Sequence, residues 1–294
     1  MEEKVSRGAA AAVALNYFVW GILPLFWILL SHVDSLYILA QRIMWAALIS
    51  GCWVLATSRR AGGAAVFEGA SPALVLSAAA IAVNWGLYIW AVGNGYVSYA
   101  ALAYFVSPLL SVFLGAAVFG ERLSPAQWAS IALAAGGAVL FGWGQAGAGL
   151  LVVFGVAGSF SVYAALKKTV RVKTVPGLFI ESAVLAPVAL ALVCTGVLRP
   201  GSELDLRTWL LFVAAGLVTF LPLVVMSHYA RRVPLSLLGM LQFISPVAQL
   251  ALGVTVFGEE LSGRQVAALA LILLGVTIFL GQARASRHTR RSQV

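Results

Sequence analysis

Apolar residues run along this chain in long stretches, broken by short gaps that collect the charges, glycines and prolines. A helix needs about 20 mostly apolar residues to cross the hydrocarbon of a bilayer. Backbone polar groups cannot be left open in lipid, so helices are the default there. The runs lack the period-2 alternation of a β-barrel. The pattern predicts ten spans, at 9–30, 36–56, 72–93, 97–118, 125–144, 148–166, 177–197, 208–229, 235–257 and 264–282. The gaps leave no room for a soluble domain. The fold class read from this pattern is all-α integral membrane, with ten transmembrane helices.

Composition agrees. Of the 294 residues 62% are hydrophobic and 10% charged, with mean hydropathy +0.97. A soluble domain carries about a quarter charged residues to wet its surface, so this surface faces lipid. The formal net charge of +9 would suit a nucleic-acid partner, but the bases lie in gaps between apolar runs. They read as the positive-inside bias of a multi-pass protein, and no nucleic acid is expected. With the N-terminus inside, Arg59, Arg60, Arg122, Lys167, Lys168, Arg171, Lys173, Arg231, Arg232 and the bases of both termini fall on one side. That is 15 of 19 bases, enough to set cytoplasmic N- and C-termini in a cell (inner) membrane. Lys4 and Arg7 precede an apolar run in the manner of a signal peptide. The run continues to about Leu30, so it reads as the first span.

The chain repeats itself. Residues 104–141 and 242–279 align without a gap at an offset of 138, and 17 of 38 positions are identical. Polar and breaker positions match as well: Ser107–Pro108 with Ser245–Pro246, Gly120–Glu121 with Gly258–Glu259, Ser124 with Ser262. Shared apolar composition does not explain those matches. One unit holds five helices, an odd number, so the second copy runs upside down. Inverted repeats of this kind give a pseudo-two-fold axis in the membrane plane and two mirror-related states. The expected units are 1–146 and 147–283, followed by a basic cytoplasmic tail at 284–294.

The paired SP…FGE…LS pattern resembles the EamA repeat of the drug/metabolite transporter superfamily. More narrowly, the chain looks like its RarD group. The residues that carry the likeness are YFVWGILPLF at 17–26, QRIMWA at 41–46, NWGLYIWAVGNG at 84–95, AYFVSPLL at 103–110, IES at 180–182 and QFISP at 242–246. The resemblance implies two inverted five-helix EamA repeats. It also implies secondary transport, with export as the expected direction, of a small metabolite, amino acid or drug by alternating access. The expected partners are a small-molecule substrate, the bilayer and a coupling proton or ion.

Ionisable side chains inside a span cost roughly 2.5–3.5 kcal/mol and usually face a cavity or a partner. Arg42, in the second helix, is a candidate to bind an anionic or zwitterionic group. Glu181, in the seventh, is a candidate to bind a cation or carry a proton. Snorkelling to an interface is the plainer reading of both. Polar and aromatic stripes add Asn16 and Trp20, then Asn84, Trp85 and Tyr88, then Tyr104 and Ser107. Tyr163, Gln242 and Ser245 complete the candidate binding set. Such faces line a cavity or make interhelical hydrogen bonds. Pro108 and Pro246, at matched positions, are candidate hinges.

No phosphate-binding loop, HExxH or Gly-x-Ser-x-Gly is present, and Cys52 and Cys194 lie apart in apolar runs. No cofactor, metal or enzymatic activity is therefore expected. The rival readings are a non-transporting scaffold or receptor, and an intramembrane enzyme.

Overall fold

The structure, a computed structural model, describes residues 7–61, 67–119, 124–143, 148–229, 241 and 243–291. Among these residues ten main helices account for the fold. They are α1 (Arg7–Ile22), α2 (Ser35–Ala61), α3 (Ala73–Gly93), α4 (Val97–Phe119), α5 (Pro125–Gly142), α6 (Ala148–Thr169), α7 (Thr174–Cys194), α8 (Leu206–Tyr229), α9 (Ile244–Thr255) and α10 (Gly263–Arg291). Six spans are long and apolar enough to cross a membrane, the first (Gly8–Leu30) reaching beyond α1, and four shorter apolar segments lie in α4, α5, α9 and α10.

Most boundaries fall where local chemistry puts them. Asp34 accepts hydrogen bonds from the backbone N–H groups of Leu36 and Tyr37 and so caps α2. Asp205 does the same for α8, accepting from both the N–H and the hydroxyl of Thr208. Those bonds hold the Asp205 carboxyl below its ordinary pKa. Ser262 and Gln265 form a reciprocal capping box at the start of α10. The first span is not one straight helix. Pro24, which has no N–H to donate, opens a new short helix (Pro24–Trp27) and then a 3-10 turn (Ile28–Leu30). The seventh helix starts at Thr174 rather than 177. Pro176 falls in its first turn, where a missing N–H is harmless.

Helix packing follows the repeat. Exchanging each of α1–α5 with the helix five places on preserves the main cross-half neighbours. α2 packs on α7, α4 on α9 and α5 on α10, each against its own counterpart. Most other contacts between the halves come in exchanged couples: α1 with α8 and α6 with α3, α1 with α9 and α6 with α4, α2 with α8 and α7 with α3; a weaker contact of α4 with α10 is not matched by one of comparable extent between α9 and α5. This is the neighbour pattern of two inverted five-helix repeats.

The α5–α10 contact is the most intimate of these and rests on two glycines. A Cβ on Gly137 would lie 2.8 Å from the Ala268 carbonyl oxygen and 2.7 Å from the Ile272 side chain. A Cβ on Gly275 would lie 2.7 Å from the Ser130 carbonyl oxygen and 3.0 Å from the Ala134 nitrogen. The offset of 138 relates Gly137 to Gly275, Ser130 to Ala268 and Ala134 to Ile272. Small residues let membrane helices approach backbone to backbone, and here the approach is made twice. A second tie links the halves at the start of α4. Both carboxylate oxygens of Glu259, in the α9–α10 turn, accept backbone N–H groups there, from Val97 and Ser98, at 2.6 Å each. A carboxylate suits the positive end of a helix dipole.

Overpacking a tight contact typically costs about 1–3 kcal/mol. Gly137→Val and Gly275→Val should each lower the thermal stability of the purified protein by that order. Gly136→Val, whose Cβ meets nothing within 4 Å, should leave the melting curve in detergent unchanged.

Candidate functional site

Arg42 and Glu181 occupy exchanged places. Arg42 lies seven residues beyond the first residue of α2, and Glu181 seven beyond the first of α7. Arg42 is 6% exposed and Glu181 2%. Each bonds a hydroxyl on the third helix of the opposite half. Arg42 Nε donates to Thr219 Oγ1 of α8 at 2.9 Å, and Ser77 of α3 donates to Glu181 Oε1 at 2.6 Å. The two hydroxyls are not themselves at matched positions: Ser77 lies four residues beyond the start of α3 and Thr219 thirteen beyond the start of α8.

Their remaining surroundings differ. Glu181 forms an ion pair with Lys167, Nζ to Oε1 at 3.0 Å, and Tyr163 donates a long hydrogen bond of 3.5 Å to Oε2. That is the one ion pair among the described residues. Arg42 has aromatic faces instead. Its guanidinium carbon stands 4.0 Å from the ring centre of Trp85 and 4.9 Å from that of Trp27. A desolvated cation–π contact contributes about 2 kcal/mol. Two of them offset the roughly 2.5–3.5 kcal/mol of placing an arginine in a span. The Pro24 break matters here, because Trp27 lies in the short helix that it opens.

Arg42 borders a cavity of about 260 Å³ between the two halves. Trp20, Asn84, Trp85, Tyr88, Tyr104, Tyr163 and Ser245 border it too, and so does the hinge candidate Pro246. Rings make one wall: Tyr88 meets Tyr104, Tyr104 meets Phe160, and Phe160 meets Tyr163, with centroids 5.8, 6.0 and 6.2 Å apart. Asn84 also ties the halves together, donating to the Val156 carbonyl at 2.9 Å.

Other candidates lie elsewhere. Ser107 donates back to Ala103 O within α4, and its own carbonyl accepts from Ser161 of α6. Asn16 is buried in α1, and its Nδ2 finds no partner among the described residues. Glu181 sits behind Tyr163 rather than on the cavity wall. Gln242 lies outside the described residues, as does the side chain of Pro108, whose backbone continues α4. Pro246 falls in the first turn of α9. The cavity also takes Tyr17, Trp27, Phe160 and Thr219. The sequence does signal Thr219 weakly, as a lone hydroxyl in an apolar run on the helix equivalent to that of Ser77.

Residues 7–143 and 147–281 each match the EamA-like transporter family. The chain is 36% identical to the protein RarD of Streptomyces exfoliatus, over 93% of this chain and 89% of that protein. It is 34% identical to an uncharacterized transporter of Pseudomonas aeruginosa, over 90% of each. A solved crystal structure, 25% identical in sequence, superposes with a TM-score of 0.60 and covers 94% of this chain and 99% of its own.

Leaving a buried polar or charged group without its partner costs roughly 1–3 kcal/mol, more for a charge. Lys167→Met should therefore destabilise the protein by at least that order. The double variant Lys167→Met/Glu181→Gln should recover most of the loss. A double-mutant cycle on thermal unfolding in detergent measures the coupling.

Proposed function

The chain belongs to the EamA-like transporter family, and on that premise we propose that it exports a small metabolite, amino acid or drug across the inner membrane as a secondary transporter. That it is a multi-pass membrane transporter follows from the family and its apolar helices. One observation carries the finer reading. A buried guanidinium borders a cavity between two exchanged halves, with no carboxylate paired to it among the described residues.

In this reading the units 1–146 and 147–283 rock about their shared axis. The cavity opens to one side and then to the other, with Arg42 as the fixed anchor for the solute. The aromatic walls hold the apolar body of the solute and exclude water, which strengthens the charged contact. Glu181, held by Lys167 and Ser77, ties α3 to α6 and α7. The termini and the basic tail at 284–294 lie in the cytoplasm, following the positive-inside bias.

Flux in proteoliposomes tests the transport step. Arg42→Gln should reduce solute flux at least tenfold, and Arg42→Lys, which keeps the charge but loses the planar fork, by less. Wild-type flux in Arg42→Gln would remove the anchor. Topology is tested with single cysteines after Cys52 and Cys194, both exposed, are changed to serine. Glu203→Cys should react with an impermeant reagent on intact cells, and Lys173→Cys only after permeabilisation.

A further inference from the structure

Arg42 is the one charged side chain bordering the cavity among the described residues. The other buried ionisable group of the core, Glu181, already has Lys167 as its counter-ion. Among the described residues the site therefore holds one uncompensated positive charge. We infer that the carried solute is an aromatic monocarboxylate with no ammonium group, and that its export is driven by the membrane potential acting on its own charge. This rests on the proposal that the cavity is the transport site.

Charge, shape and size each support the class. A guanidinium pairs with a carboxylate through two parallel hydrogen bonds. An ammonium on the solute would stand in the same low-dielectric space as Arg42, with no carboxylate among the described residues of the cavity wall to receive it. The wall of Tyr88, Tyr104, Phe160 and Tyr163 is a run of rings packed edge-on or tilted against one another, an apolar surface suited to an aromatic solute. A cavity of about 150 Å³ holds a benzene ring. One of about 260 Å³ has room for the ring and a short acid side chain.

The direction follows from the sign. A monoanion moving from a negative interior is pushed outward, about 50-fold in equilibrium ratio for each 100 mV. A co-transported ion is then unnecessary for export.

Three probes share one ring and differ in charge: 3-phenylpropanoate, phenylalanine and phenethylamine. Their binding to the purified full-length protein is read from tryptophan fluorescence, since Trp27 and Trp85 flank Arg42. Phenylpropanoate should bind at least tenfold more tightly than the other two, and Arg42→Gln should abolish the preference. The comparison on unaltered protein stands even if that variant misfolds. Equal or tighter binding of phenylalanine or phenethylamine, or no binding of any probe, overturns the charge class. Efflux is then followed from vesicles at pH 8 with a potassium-diffusion potential, against protein-free vesicles. Interior-negative potential should speed protein-dependent efflux several-fold over interior-positive. Insensitivity to its sign overturns potential-driven export. Tight binding without any protein-dependent flux overturns the transport reading and leaves the charge class standing.

Discussion

A cation with no anion beside it among the described residues, held in a low-dielectric core, is the constraint around which this molecule is arranged. Burial withdraws the Arg42 guanidinium from bulk water, so the protein must solvate it. It does so with Trp85 and Trp27 on the faces and Thr219 on one nitrogen. Those three partners come from three helices, and one of them comes from the opposite half. Holding the charge and joining the halves are thus the same act. None of the partners is itself charged, which leaves the electrostatic demand of the site to be met from outside.

The second half repeats the arrangement with its demand already satisfied. Glu181 takes a hydroxyl of the opposite half, Ser77, as Arg42 takes Thr219, but Lys167 supplies the missing charge. Symmetric scaffolding thereby carries an asymmetric site. A rocking motion needs two halves of nearly equal shape. A binding site needs a preferred end. In the proposed rocking transport, unlike charges at Arg42 and Glu181, with a counter-ion at Glu181 alone, would meet both needs.

The fold was largely legible because lipid leaves so few solutions. Run length fixed the spans, and the offset of 138 fixed their grouping. What escaped was local: Pro24 divides the first span, and the last helix runs on to Arg291 rather than stopping near 282. The site was legible only in part, for a physical reason. A polar stripe looks the same whether it faces a cavity or a neighbouring helix. Tyr104 and Ser107 lie on one face of α4, yet Tyr104 borders the cavity and Ser107 spends its hydroxyl on its own helix. Trp27 and Thr219 matter through contacts with a different helix, adjacent in sequence for Trp27 and remote for Thr219, which no periodicity within a single helix records.

The reciprocal seating of Gly137 and Gly275 bears on where such a chain comes from. A surface that fits its own copy turned about a two-fold is what two separate, identical five-helix proteins would use to meet, one pointing up and the other down. Fusion of the two genes would preserve that meeting as α5 against α10. Each copy could then drift apart elsewhere, at Arg42 and Glu181 above all, while the seam stayed alike on both sides.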